Sequence, residues 1–319
     1  MIGATDIKGM MAMMPAFATD SATDVTATAT VDVGRLHRGL DKMIGDGADV
    51  IATTGSFGEC HTLLMDEFRV LAHESLAATK RRVPLFIGVT SQNTRETIQK
   101  MKMIADSGAD GVLVGVPYYF PSSVENAVRF YSDIAALFPK LGIMLYHNPV
   151  LHKVTLPPDA IAELVKIPTV VAMKDSHRTP EEMATLAEIT RGKMSIFVFH
   201  AQYAEYARLG AAGFWSIDSW MGPWPHLALR EAVARRDWDA ARAITADLIT
   251  PAADVAPNLS WRETASKLAV RAAGYVDPGP LRPPFLEIPL EVRERVLKRA
   301  QRWQLLCTKY QNEGRKAAS

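Results

Sequence analysis

Residues 170–176 read VVAMKDS and carry the side chain best suited to covalent chemistry, Lys174. Small and branched apolar residues run into Met173 and then Lys174, with Pro168 before them and Asp175-Ser176 after. An apolar run bounded by turn residues suits a fully buried parallel strand. Its last position then presents a lysine. A buried lysine gives up its proton readily, and a neutral amine attacks ketones to form a Schiff base. Taken alone, the same lysine could instead reach solvent or pair with Asp175.

Other groups with chemical potential follow similar apolar runs. They are the turn Gly55-Ser56-Phe57-Gly58-Glu59, the aromatic pair in Pro117-Tyr118-Tyr119, and Tyr146-His147-Asn148-Pro149. His200-Ala201-Gln202, and Ser216 with Trp220 and Trp224 beyond it, complete the set. Tyr146 could move protons to and from a carbinolamine. The glycine-flanked turn offers backbone N–H groups to a carboxylate. Asn148 and Ser216 join Gly55 and Phe57 as candidate binding residues. Trp220 and Trp224 are expected to give the pocket aromatic walls. Metal chemistry is not expected: the histidines form no HExxH or paired-carboxylate pattern. No GxSxG elbow appears, and Cys60 lacks a nucleophile's context.

The elements that must position these groups alternate along the chain. Strands are expected at 9–15, 50–54, 85–89, 112–116, 143–146, 170–173, 196–199 and 213–217. Helices follow at 36–47, 65–79, 94–107, 124–137, 158–165, 180–189, 203–209 and 226–234. Eight strand–helix units predict an α/β fold, a closed (β/α)8 TIM barrel, over residues 1–236. Its functional residues belong at the C-terminal strand ends, where all the groups above fall. An open doubly wound sheet lacks its GxGxxG fingerprint here. Helical periods at 238–254, 262–273 and 290–309 predict a C-terminal helical extension, 237–319, packed on the barrel. Residues 19–30 read as a surface loop, and the chain from Asn312 as frayed.

Composition narrows the function. The chain has 319 residues, 48% of them hydrophobic, and a net charge of +1. Nothing in that balance suggests nucleic acid or an acidic membrane surface. Two cysteines give no disulfide framework and fit a cytoplasmic protein. No apolar run approaches the roughly 20 residues of a membrane span. The first residues are broken by Gly and Asp, which does not suit a secretory signal.

In order, four motifs resemble those of the dihydrodipicolinate synthase and N-acetylneuraminate lyase superfamily of class I aldolases. Gly55-Ser56-Phe57-Gly58-Glu59 resembles its G-[ST]-T-G-E, and Pro117-Tyr118-Tyr119 its P-Y-Y. Tyr146-His147-Asn148-Pro149 resembles its Y-N-x-P, and Lys174-Asp175-Ser176 its K-[DE]-[SA]. The resemblance implies that Lys174 forms an imine with a 2-oxo acid and that Tyr146 shuttles protons. It implies a relay through Ser56 to Tyr119, the latter commonly given across a subunit interface. It also implies no cofactor and a homotetramer built as a dimer of dimers. Two positions depart from the pattern: Phe57 replaces a threonine, and Leu151 stands where the synthases usually have arginine. The run from Thr54 to Cys60 and the run from Gly279 to Phe285 are similar to the hydratase-aldolases of aromatic hydrocarbon degradation. These imply cleavage of an ortho-substituted benzylidenepyruvate to an aromatic aldehyde and pyruvate, with an ortho-carboxylate slightly favoured. The alternatives are another 2-oxo acid lyase or synthase of the superfamily, or a non-catalytic protein that binds a small acid.

Overall fold

The computed structural model describes residues 2–175, 177–252 and 259–318; Ser176 and the end of the helix expected at 238–254 lie outside them. Eight parallel strands close into a barrel in chain order. They are β1 (Gly9–Met13), β2 (Val50–Ala52), β3 (Leu85–Gly88), β4 (Gly111–Val114), β5 (Gly142–Tyr146), β6 (Val170–Lys174), β7 (Ser195–Phe199) and β8 (Gly213–Ser216). The TIM barrel expected from the alternation is therefore present. Nearly every strand residue is buried, which explains why the strands read as unbroken apolar runs.

Between the strands run α1 (Val33–Gly45), α2 (Met65–Thr79), α3 (Thr94–Ala105), α4 (Val124–Leu137), α5 (Pro149–His152), α6 (Pro158–Leu164), α7 (Pro180–Thr190) and α8 (Tyr203–Leu209). After β8 come α9 (Trp224–Ala234), α10 (Trp238–Ala252), α11 (Leu259–Ala273) and α12 (Leu290–Ala318). Their starts have local causes. Asp32, Asn93, Ser123 and Thr179 each accept a backbone N–H three residues on, the N-cap bond that satisfies an orphan donor. Gly210 ends α8 at φ 118°, a conformation open to glycine.

Three local readings change. A one-turn helix, α5, follows β5 directly, because Asn148 caps it and Pro149 fits its first turn. Residues 19–30 are not wholly irregular: a 3-10 turn covers Asp20–Thr23, and an Ala18–Val31 bridge closes the segment. α12 does not stop near 309 but runs from Leu290 to Ala318.

The chain forms two compact units. The first comprises Met1–Met11, Asp49–Gly55 and Arg81–Trp215, with a core from β4 to β7 that includes Leu113, Met144, Met173 and Phe197. The second comprises Ala12–Ala48, Ser56–Lys80 and Ser216–Ser319, with Leu36, Phe68, Leu229 and Trp303 buried. Each such side chain contributes about 1.5–3 kcal/mol by leaving water. The boundary expected at 236 runs through the second unit, which holds barrel helices and C-terminal helices alike.

Candidate active site

Lys174 ends β6 with 3% of its surface exposed, and Tyr146 ends β5 with 4%. The two are direct partners in the β5–β6 register. Lys174 Nζ lies 4.5 Å from the centroid of the Tyr146 ring and 3.4 Å from that of Trp215. An amine and a phenol are thus held side by side at the strand ends where barrel enzymes place their chemistry. Trp215, on β8, was not among the residues singled out from the sequence. Its indole Nε1 donates to the Asp175 carbonyl at 3.0 Å, so it also fixes the chain leaving β6. It comes within reach of Lys174 only once β8 has been placed beside β7, and no local pattern announces that.

One residue beyond this pair lies a buried polar network. Asp175 Oδ2 accepts from His147 Nδ1 at 2.9 Å and from Arg178 Nε at 2.8 Å, while Oδ1 accepts from the His177 N–H at 2.9 Å. Burial alone would raise the pKa of this carboxyl. The His147 bond and the Arg178 charge outweigh it and hold the group well below the usual carboxylate range. Arg178 also donates to the Leu156 carbonyl at 2.7 Å. The Leu156 N–H donates to His147 Nε2 at 3.1 Å, so both imidazole nitrogens are engaged.

His152, at the end of α5, is 4% exposed and stands edge-on to the Tyr146 ring at 4.9 Å. A side chain at Gly115 would collide with this imidazole, so the position after β4 must be glycine. Burial, aided by the charge of Lys174, pushes the His152 pKa down to about 4. Asn148, proposed for binding, spends its side-chain oxygen on the Leu151 N–H at 3.3 Å. Gly55 is buried. Tyr119 is 67% exposed, and its ring meets that of Phe120, itself 76% exposed, at 5.0 Å.

The remaining proposed residues belong to the second unit. Ser56 is half-buried and Phe57 is 4% exposed, in the turn that precedes Glu59. Glu59 adopts φ 54° and anchors that turn. Its carboxylate takes Lys267 Nζ at 2.5 Å and the Arg282 N–H at 3.1 Å. Arg282 in turn donates to the Thr30 hydroxyl at 2.6 Å. Burial lowers the Lys267 pKa to about 8, with Glu59 opposing the shift. Ser216 is fully buried and accepts the Asp218 N–H at 3.0 Å.

Trp220 and Trp224 do not share a pocket wall. Trp220 has no exposed surface and packs edge-on against Phe17 at 5.7 Å, as a core ring does. Trp224 faces a groove with Leu227, Ile244 and Tyr310, and meets the Tyr275 ring at 5.5 Å. The reason is the intervening Gly222, at φ 128°, which turns the chain so that Trp224 leads into α9. Among the described residues, no three His, Cys, Asp or Glu side chains are grouped to hold a metal ion. No helix among them is long and apolar enough to cross a membrane.

The family model for the dihydrodipicolinate synthetase family matches residues 13–302. The chain is 33% identical to trans-O-hydroxybenzylidenepyruvate hydratase-aldolase of Pseudomonas aeruginosa, over 97% of this chain and 96% of that protein. It is 28% identical to trans-2'-carboxybenzalpyruvate hydratase-aldolase of Nocardioides sp. (strain KP7), over 97% and 96%. The solved structure of PhdJ bound to substrate intermediate superposes with a TM-score of 0.92 at 28% identity, covering 97% of this chain and 99% of that one. The match spans the barrel and the C-terminal helices together, and the chain therefore belongs to the dihydrodipicolinate synthetase family, as an enzyme of the lyase kind.

Proposed function

We propose that the protein is a Schiff-base hydratase-aldolase that cleaves an ortho-substituted benzylidenepyruvate to an aromatic aldehyde and pyruvate, in the degradation of aromatic hydrocarbons. The observation that carries this reading is the buried Lys174 in register with Tyr146, its amine 4.5 Å from the phenol ring.

The Lys174 amine adds to the ketone of the unsaturated 2-oxo acid, and the carbinolamine loses water to give an iminium ion. Electron withdrawal by the iminium lets water add at the benzylic carbon. Tyr146 takes the proton of the new hydroxyl, and the carbon–carbon bond breaks to release the aldehyde. The bond's electrons pass to the iminium as an enamine. Protonation and hydrolysis of the enamine release pyruvate and restore the amine. The turn from Gly55 to Phe57 offers N–H groups to the substrate carboxylate. Ser56 and Tyr119 extend the proton relay, Tyr119 from a second subunit of a homotetramer in the cytoplasm. The lysine imine is the electron sink, so no cofactor or metal takes part.

An ortho-hydroxyl is the better-supported ring substituent, although the sequence alone inclined to a carboxylate. Relatives named for the hydroxy substrate are 32–35% identical, against 28% for the carboxy one. Of His147, His200 and Arg282, the candidates by sequence to read the ring substituent, His147 and Arg282 are engaged in buried bonds.

Incubation with pyruvate and borohydride is expected to add one pyruvate-derived mass to the Lys174 peptide. Labelling on another lysine, or none, overturns the imine reading. Turnover of a sugar-derived or aliphatic 2-oxo acid in preference to benzylidenepyruvates would move the assignment to another lyase of the family.

A further inference from the structure

We infer that His147 and Asp175 are positioning residues for the lyase reaction: their bond latches the exits of β5 and β6 and so holds Tyr146 against Lys174. This inference rests on the imine reading above.

Each latch residue directly follows a chemical one in the chain, His147 after Tyr146 and Asp175 after Lys174. The register continues past the strand ends, with the His147 N–H donating to the Lys174 carbonyl at 3.0 Å. The imidazole–carboxylate bond of 2.9 Å then joins the same two chain segments a second time, through side chains. Two links one residue beyond the reacting pair leave little freedom to the φ and ψ of Tyr146 and Lys174.

The hydrogen-bond directions give His147 its role. The Leu156 N–H points at Nε2, so that nitrogen carries no proton, and the ring hydrogen sits on Nδ1 facing Asp175. A histidine with its acceptor nitrogen taken by a backbone N–H has no site left to take a proton from substrate. The His–Asp couple is therefore not a general base but a brace. Around it, the same carboxylate receives Arg178, whose carbonyl accepts the Tyr206 hydroxyl at 2.7 Å. The Asp175 carbonyl receives Trp215 from β8. Asp175 thus gathers β5, β6 and β8 at one buried point, 1% exposed, with α8 tied in through Arg178. Lys174 Nζ lies over the same Trp215 ring, so the indole touches the amine and the brace at once.

Two substitutions separate this role from ordinary stability. His147→Gln keeps one donor and one acceptor that can serve Asp175 and Leu156. His147→Leu removes both. With active sites counted by pyruvate–borohydride trapping, His147→Leu is expected to lower kcat per trappable site by about 10–100-fold, as small misplacement of a reacting group does. KM is expected to change much less, and His147→Gln to restore most of the rate. A His147→Leu enzyme with wild-type kcat per site, whatever its melting temperature, overturns the latch. So does a His147→Gln enzyme as slow as His147→Leu at equal thermal stability. Wild-type enzyme that traps no pyruvate on Lys174 defeats the imine reading itself, and with it the inference; normal wild-type trapping with an unaffected His147→Leu rate defeats the latch alone.

Discussion

At the scale of single residues, burial decides which groups remain uncharged. His152 is enclosed beside Tyr146 and meets the positive charge of Lys174 and the ring of His147. Its pKa falls from 6.5 to about 4 on folding. The unfolded chain therefore binds a proton between pH 6.5 and 4 that the folded chain refuses. Stability from this group is complete above pH 6.5, falls as pH drops through that window, and is level below it. At 1.36 kcal/mol per pH unit, the loss is on the order of 3 kcal/mol. Urea unfolding at pH 7.5 and pH 5 is expected to show a larger difference for the wild type than for His152→Leu. Equal differences for the two proteins would mean that His152 is not the acid-sensitive group.

At the scale of elements, α12 carries a stripe that serves the turn after β8. Arg299, Trp303 and Cys307 are spaced four apart, so they share one helix face. Arg299 pairs with Asp218 at 2.6 Å, and Trp303 Nε1 donates to the Gly222 carbonyl at 3.0 Å. Cys307 Sγ lies 3.6 Å from the same carbonyl, and burial pushes its thiol pKa up to about 12, so this cysteine acts as packing. Arg299 and Asp218 are both nearly enclosed, at 7% and 8% side-chain exposure. Removing one partner strands a buried charge. Arg299→Met is therefore expected to destabilise by about 3–5 kcal/mol, and Arg299→Met with Asp218→Leu to recover much of that. Chemical denaturation of the wild type, the single variant and the pair tests it. A single variant within 0.5 kcal/mol of wild type, about the scatter of surface changes, would show the pair to be incidental.

At the scale of the whole molecule, Tyr119 and Phe120 stand out because neither is sheltered. Two adjacent aromatic rings, 67% and 76% exposed, leave apolar surface in water. They line a groove with Pro117, Pro121 and Phe130. Exposed aromatic patches of this kind mark association surfaces. With a second copy of the chain as partner, as the proposed tetramer requires, Phe120→Asp is expected to shift sedimentation toward smaller species and to lower activity with it. A variant that sediments like wild type would place the interface elsewhere.

Much of this protein is legible in its residues one after another. The eight apolar runs and the helices between them predict the barrel, because both faces of a parallel strand are buried and period decides the rest. Lys174 and Tyr146 are legible too, since each ends such a run and strand ends meet on one face of a closed barrel. What local pattern cannot carry is which side chains from distant segments share a volume. Trp215 reaches Lys174 through the order in which strands close, and the tryptophans expected at a pocket mouth go instead to the core and to a helix groove. Asp175 and His147 look like ordinary polar residues until their bond is seen to be buried with Arg178 beside it. Sequence spacing fixes where a side chain starts along its element. Direction, burial and hydrogen-bond partner depend on atoms contributed from elsewhere in the chain, and only the tertiary structure brings those together.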